Sequence, residues 1–217
     1  MNNVHRLLDK GLEQLTTVVF KMGEVAEKAL SISISGFIRG KDTSEDVREL
    51  SEILVMMTGE VEEKSFSLIA KYQPVASDLR IINSYMKVAY DFERYGRYAW
   101  DISFIGKRLG SLSNCDDWIP QFIVEMGEKV LQMVKISIES LKRLDTDLAK
   151  TITKTEQEID NMYFQYIGKL VEQAGVTNQC TVSSLLAVRY LERIADHATY
   201  ITEAVVYIAT GEKVTLR

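Results

Sequence analysis

Residues 8–29, LDKGLEQLTTVVFKMGEVAEKA, decide the fold class of this chain. The apolar residues in this stretch recur at alternating steps of three and four, which places them on one face of an α-helix. They are Leu8, Leu12, Leu15, Val19, Met22, Ala26 and Ala29. No segment of the sequence alternates apolar and polar residues at the two-residue period of a β-strand. The pattern predicts an all-α protein.

Two further apolar stripes follow in the first half of the chain. A second helix is predicted after the stop signal at residues 40–44. It ends before Pro74, because proline disfavours helical geometry in the residue that precedes it. A third helix follows, and Ser77 or Asp78 is its expected N-cap. The predicted core positions are Val47, Leu50, Leu54, Met57, Val61, Phe66 and Ile69 in the second helix, and Ile82, Tyr85, Val88, Phe92, Tyr95 and Ala99 in the third.

The second half of the chain repeats motifs of the first half in the same order. The clearest pair is residues 88–94, VAYDFER, and residues 187–193, AVRYLER. We interpret these echoes as an internal duplication. Long helices bury their apolar stripes best in bundles, so the sequence predicts two tandem three-helix bundles at residues 1–110 and 117–217. The polar, turn-rich residues 111–117 are the predicted joint.

Composition narrows the functional classes. The chain has 217 residues and a formal net charge of −5, with acidic and basic residues interleaved, so no basic stripe indicates a nucleic-acid partner. No apolar run approaches the ~18 residues of a membrane-spanning helix, and the N-terminus does not resemble a signal peptide. We therefore expect a cytoplasmic protein without membrane insertion. Cys115 and Cys180 form no CxxC motif, and we expect two ordinary thiols in a reducing compartment.

Acidic residues four positions apart mark a candidate metal site. Glu192 and Asp196 share one face of a helix, and Glu156 and Asp160 do the same on the preceding helix. If the two helices are neighbours, four carboxylates converge and repel one another unless a cation lies between them. A hard multivalent cation prefers such oxygen ligands. The same spacing also occurs on solvated helices, where a basic neighbour such as Arg193 would pair with the acids.

The first half of the chain departs from this acidic pattern. Arg97 stands four residues after Glu93, and Thr58 stands four residues before Glu62. We expect Glu93 and Arg97 to form an ordinary ion pair one helical turn apart. A metal site in this half is therefore expected to be lost or weaker. Glu62 and Glu93 are weaker candidate ligands, as is Glu203, which lies three turns beyond Glu192 on the last helix.

The remaining polar residues favour structural roles over catalysis. His197 is expected to be a surface or interhelical hydrogen-bonding residue rather than a metal ligand. Arg94 and Arg193 are expected either to pair with the neighbouring motif glutamates or to hold the bundle together. A di-metal oxidase in a four-helix bundle would need Glu-x-x-His motifs, and neither His5 nor His197 has a glutamate three residues before it. The sequence also contains no nucleophile motif and no phosphate-binding glycine loop, so we expect no enzyme.

Three segments of the chain carry a resemblance to a known family. Residues 73–80 (QPVASDLR), residues 91–94 (DFER) and residues 190–198 (YLERIADHA) closely resemble the two signature segments of the PhoU family. The resemblance extends over essentially the whole chain. It implies a pair of three-helix bundles, often dimeric, that act in phosphate homeostasis. It also implies metal clusters held by Glu/Asp-x-x-x-Asp pairs, which map onto Glu156/Asp160 and Glu192/Asp196.

The resemblance also implies a function. PhoU proteins are cytoplasmic accessories of the high-affinity phosphate ABC transporter that restrain uptake and, in bacteria, link the transporter to a sensor histidine kinase. For this chain we therefore expect a regulator that binds the transporter's ATPase subunit, with a carboxylate-bound iron, zinc, manganese, magnesium or calcium ion. The alternative is a metal-free helical adaptor that acts by protein–protein contacts outside phosphate signalling.

Overall fold

The computed structural model describes residues 2–110, 112, 115–172 and 178–216 of the chain. Within these residues the secondary structure is helical, without β-strands. The helices are α1 (Asn2–Arg39), α2 (Ser44–Tyr72), α3 (Ala76–Leu109), α4 (Trp118–Arg143), the short α5 (Thr146–Lys150), α6 (Ile152–Glu172) and α7 (Gln179–Thr210). The all-α prediction is confirmed.

Six long helices are arranged as two three-helix bundles. Helices α1, α2 and α3 pack against one another, and α4, α6 and α7 form the second bundle with the short α5 against them. The two bundles lie side by side because α3 packs along α7 and α1 packs against α4. One continuous apolar core therefore runs through both bundles. We call the contact between α3 and α7 the seam.

The helix ends follow the sequence signals except at the start of α3. As predicted, α2 ends at Tyr72, before Pro74. The predicted cap of α3 by Ser77 or Asp78 is wrong, because the helix begins earlier, at Ala76. The N-cap is Val75, which makes no side-chain cap hydrogen bond. Its carbonyl already accepts a hydrogen bond from the Asp78 amide at 2.9 Å, so both polar residues lie inside the first turn.

The core predictions hold for α1 and α3 but only in part for α2. Phe66, a predicted core residue of α2, is 62% exposed. The buried face of α2 instead places small polar residues between aliphatic ones at a seven-residue repeat: Val47, Ser51, Leu54, Thr58, Val61, Ser65 and Leu68. Small side chains let α2 approach α3 closely. A Cβ atom added to Gly96 of α3 would lie 2.5 Å from the Leu54 side chain.

A disulfide joins Cys115 to Cys180, so the expectation of two free thiols is wrong. The two Cα atoms lie 5.5 Å apart, within the normal range for a disulfide. The cysteines are 65 positions apart in sequence, and the fold brings the segment before α4 back against the first turn of α7. The bond therefore fastens the joint between the bundles to the second bundle.

The predicted joint coincides with the break between α3 and α4. Helix α3 ends at Leu109 and α4 begins at Trp118. Of the predicted joint, residues 111, 113 and 114 lie outside the described residues. The domain limits 1–110 and 117–217 stay a prediction. None of the helices, as far as the chain is described, has the length and apolar character needed to span a lipid bilayer.

Candidate functional site

A buried polar pair crosses the seam near its middle. His197 Nδ1 of α7 lies 2.7 Å from Asp91 Oδ1 of α3, and both residues are buried. Of the two roles expected for His197, surface or interhelical, the structure shows the interhelical one. Burial is the largest influence on Asp91 and raises the pKa of its carboxyl group, while the hydrogen bond and charge of His197 oppose that shift. The pair therefore fixes the register of α3 against α7.

Three tyrosine rings surround the imidazole of His197. The ring centroids of Tyr200, Tyr98 and Tyr90 lie 5.4, 5.7 and 6.3 Å from it. The Nε2 atom of His197 is buried and has no hydrogen-bond partner within the described part of the chain. This packing holds the imidazole in one position and surrounds the Asp91–His197 hydrogen bond with aromatic rings.

Arginines from both bundles meet at the hydroxyl group of Tyr98. Arg94 Nη2 donates a hydrogen bond to it at 2.9 Å, and Arg193 Nε approaches it at 3.5 Å from the other side of the seam. The Arg94 guanidinium also lies 4.7 Å from the centroid of the Tyr98 ring, a cation–π contact. Burial alone would raise the pKa of Tyr98, but the two arginines outweigh it and lower that pKa.

Three of the four predicted metal ligands lie close enough to influence one another. Burial raises the pKa of the Glu192 carboxyl group, and the nearby charges of Asp196 and Asp160 raise it further. Arginines on α7 already neutralise two of these acids. Arg189 Nη1 lies 2.6 Å from Glu192 Oε2, and Arg193 Nη1 lies 2.8 Å from Asp196 Oδ2. The mutual repulsion of the carboxylates fits the predicted cation site. The ion pairs with Arg189 and Arg193 fit the alternative prediction, in which basic neighbours neutralise the acids.

The fourth predicted ligand, Glu156, is 3% exposed and lies one turn before Asp160 on α6. Across the described ranges, no group of three or more His, Cys, Asp or Glu side chains is positioned to hold a metal ion. The donor chemistry at the α6–α7 contact therefore suits a hard cation, but the side chains are arranged for the arginines. Metal binding here would require the ion pairs of Arg189 and Arg193 to open.

The weaker candidate ligands lie elsewhere. Glu203 accepts a hydrogen bond from the Leu216 amide at 3.0 Å and is about 16 Å beyond Glu192 along α7. Glu62 is exposed on α2, and Glu93 lines a cleft formed by α2, α3 and Tyr190 of α7. The structure does not bring these three residues to the acids of α6 and α7.

The predicted ion pair between Glu93 and Arg97 is wrong. Arg97 Nε pairs in the opposite direction, 3.4 Å from Asp101 Oδ2. The Arg97 guanidinium also lies 4.8 Å from the centroid of the Trp100 ring. The aromatic contact and the second acid both lie toward the C-terminal end of α3, so they draw the arginine away from Glu93.

The family comparison gives one match in each bundle. The PhoU domain family model matches residues 19–105 and 123–205. The chain belongs to the PhoU family. Among similar relatives, a protein from Clostridium acetobutylicum named "Phosphate-specific transport system accessory protein PhoU homolog" is 32% identical, over 97% of this chain and 98% of its own length. A relative of the same name from Pseudomonas putida is 30% identical, over 98% of this chain and 84% of its own length.

Solved structures of PhoU proteins share the fold. PhoU from Pseudomonas aeruginosa superposes with a TM-score of 0.86 at 26% identity, covering 94% of this chain and 99% of that chain. The phosphate transport system regulatory protein PhoU from Streptococcus pneumoniae superposes with a TM-score of 0.71 at 23% identity, covering 95% and 99% of the two chains, and supports the fold alone.

Sequence reasoning missed the partners of the two seam contacts. It assigned no specific role to Asp91 or to Tyr98. The two copies of the motif are offset by 99 residues, which aligns Asp91 with Tyr190 and Tyr98 with His197. That offset relates the two contacts to each other, but it does not determine where α3 crosses α7, so the sequence alone could not place Asp91 opposite His197.

Proposed function

We propose that this protein regulates phosphate uptake as a cytoplasmic, non-enzymatic accessory of a phosphate transport system. One observation carries the proposal. Over nearly its full length the chain is similar to proteins named as phosphate-specific transport system accessory proteins, including the relative at 32% identity. The PhoU structure that superposes with a TM-score of 0.86 supports the same assignment.

The proposed mechanism is docking. A face of one bundle binds the ATPase subunit of a phosphate ABC transporter and restrains uptake, and a sensor histidine kinase is a second partner of the same assembly. The chain acts as a homodimer. Apolar side chains on α2 support a docking role for that helix, because Met56 and Phe66 are 67% and 62% exposed. Both residue types are enriched at protein interfaces.

Deletion of the gene tests the regulatory role. We expect cells that lack the protein to take up more phosphate when phosphate is plentiful, and to misregulate phosphate-responsive expression. The wild-type gene should restore both. Unchanged uptake together with unchanged expression in the deletion strain would refute the proposed function.

Surface variants test the docking face. Met56→Glu and Phe66→Glu should fail to restore regulation and should not retain the ATPase subunit in a pull-down. Phe164→Glu is the matched control, since Phe164 is 69% exposed on α6 of the other bundle. A pull-down in which only Phe164→Glu loses the ATPase subunit would contradict docking through α2.

We also propose a multivalent cation at Glu156, Asp160, Glu192 and Asp196, where it would link α6 to α7. The carboxylates supply hard oxygen donors, and their mutual repulsion favours a positive charge. Elemental analysis of the purified protein would identify iron, zinc, manganese, magnesium or calcium.

Two variants test the cation site. Glu192→Ala and Asp196→Ala should lower the metal content. Glu158→Ala should not, because Glu158 pairs with Lys129 of α4. Metal content that is unchanged in the first two variants would show that the assignment is wrong.

A metal-free helical adaptor is the second candidate. The ion pairs of Arg189 with Glu192 and of Arg193 with Asp196 favour it, because they already balance two of the buried or half-buried charges. Protein that is purified without stoichiometric metal, together with a deletion strain whose phosphate uptake and phosphate-responsive expression are unchanged, would support this adaptor acting outside phosphate signalling.

A further inference from the structure

A groove lies between α3 and α7, on the face of the seam covered by the C-terminal residues. Its volume is about 640 Å³, within the range of small-molecule sites. An adjoining hollow of about 530 Å³ shares Asn83, Met86 and Tyr207 with it. Lys213 and Val214 of the C-terminal segment line the groove. That segment is held in place where the Leu216 amide donates to Glu203.

Three cationic side chains line this continuous groove. They are Arg80 and Lys87 of α3 and Lys213 of the C-terminal segment. Among the described residues none of the three lies within ion-pair distance of a carboxylate, although the charge of Lys87 does act on Asp91, and the protein as a whole has a net charge of −5. The groove is therefore a positive patch on an acidic protein, and such a patch attracts anions.

Two carboxylates also face the groove, and both have other partners. Asp91 is buried and bonded to His197, with 2.7 Å between the nitrogen and the oxygen. Glu203 accepts the Leu216 amide hydrogen bond at 3.0 Å. The three cations outnumber these two acids, and neither acid lines the adjoining hollow that contains Arg80.

Aromatic rings form the other part of the lining. Tyr90, Tyr200 and Tyr207 all line the groove. Two cations lie near the Tyr207 ring, with the Arg80 guanidinium carbon 5.8 Å and Lys213 Nζ 6.0 Å from its centroid. A site that offers both cations and aromatic faces suits a ligand with an anionic end and a flat ring.

We propose that this groove binds a nucleotide. Arg80 and Lys87 are seven residues apart, so their charges follow one face of α3 over about 10 Å, a span that suits a chain of phosphate groups. Tyr90 lies one turn beyond Lys87, where a base would stack on its half-exposed ring or on Tyr200. The site binds and releases the nucleotide unchanged.

Calorimetry with ATP tests the proposal on the intact protein. The titration is run in chelator, without divalent metal, so that ATP cannot bind through a metal held by the carboxylates. We expect saturable binding of ATP, at least tenfold tighter than the binding of inorganic tripolyphosphate and of adenosine. No saturable binding, or binding no tighter than that of tripolyphosphate, would overturn the nucleotide assignment.

Substitutions locate the site. Lys87→Ala and Lys213→Ala should each weaken ATP binding about tenfold, which corresponds to about 1.4 kcal/mol. Lys135→Ala, an exposed lysine on α4, is the matched control and should bind ATP like the wild type. Tyr90→Ala should weaken ATP binding but leave the weaker tripolyphosphate binding unchanged. An equal loss in the Lys135 variant would show non-specific attraction and would contradict the proposed site.

Discussion

The seam carries two contacts at equivalent positions of the repeated motif, and their chemistry differs. The offset of 99 residues between the two copies relates Asp91 to Tyr190 and Tyr98 to His197. One contact is the buried Asp91–His197 hydrogen bond at 2.7 Å. Its counterpart is the ring contact of Tyr98 with Tyr190, whose centroids lie 5.7 Å apart. Equivalent packing positions of the two motifs can therefore hold a hydrogen-bonded pair in one contact and a pair of aromatic rings in the other.

The largest expected effect comes from breaking the polar contact alone. Asp91→Ala should lower the free energy of unfolding by about 4 kcal/mol, because it leaves a buried partner unsatisfied. Urea denaturation measures the loss. Tyr190→Phe at the equivalent position should change stability by less than about 0.5 kcal/mol. The double variant Asp91→Leu/His197→Leu should recover part of the loss, and a double variant no more stable than Asp91→Ala would contradict this account.

Reduction of the disulfide tests how much of the stability of the second bundle depends on this covalent bond. The bond closes a loop of 65 residues attached to the second bundle. Because disulfides typically contribute roughly 2–4 kcal/mol, its removal should cost about 3 kcal/mol. Urea denaturation with and without a reductant measures this, and Cys115→Ser/Cys180→Ser should match the reduced wild type. Hydrogen exchange should accelerate mainly at the start of α7. Equal acceleration in α2 would argue against a local role of the bond.

The close approach of α2 to α3 gives the next effect. Gly96→Ala should destabilise the protein by about 2 kcal/mol, because its new methyl group would overlap the Leu54 side chain. The equivalent position in the second bundle is Ala195, which tolerates a methyl group. Gly59→Ala is the control, since no atom lies within 4 Å of its added Cβ, and it should stabilise α2 by about 1 kcal/mol. Thermal unfolding of the two variants should shift in opposite directions.

The smallest expected effect is a change in the titration of Tyr98. Arg94→Gln removes a donor and a positive charge that favour tyrosinate, so the pKa of Tyr98 should rise. In the wild type this lowered pKa adds stability at alkaline pH that is lost as pH falls through the folded-state pKa. The variant should lose part of that alkaline stability. The difference in absorbance between the wild type and Tyr98→Phe measures the pKa of Tyr98. Arg97→Gln is the control and should leave that pKa unchanged, because Arg97 pairs with Asp101 instead.

Helix content and the cores of α1 and α3 could be predicted from sequence because they follow a local period. The face of α2 could not, since Ser51, Thr58 and Ser65 are polar by type and buried only because α3 approaches closely. Phe66 was misassigned for the same reason. A hydrophobic pattern identifies large apolar side chains, whereas close helix packing selects small ones.

The candidate site also contains some contacts that helical spacing predicts and others that it does not. Helical spacing correctly grouped Glu192 with Asp196 and placed Asp160 near them. The spacing of residues along a helix does not show which of several possible partners an ionised side chain will contact. It therefore left open whether arginines or a metal would neutralise these acids, and it gave Arg97 the wrong partner. The Cys115–Cys180 bond and the Asp91–His197 pair join residues 65 and 106 positions apart, and such contacts depend on the complete fold.

The seam also suggests that the protein can be split into two fragments that reassemble. Each bundle contributes one helix to it, and only the segment between α3 and α4 connects the two chain halves. Two fragments obtained by cutting that segment would each expose the apolar face of one seam helix and a polar residue without its partner, Asp91 or His197. Each fragment should therefore be insoluble alone and become soluble when it is co-expressed with the other. A split reporter fused to the two fragments would then read out directly how tightly the halves hold together.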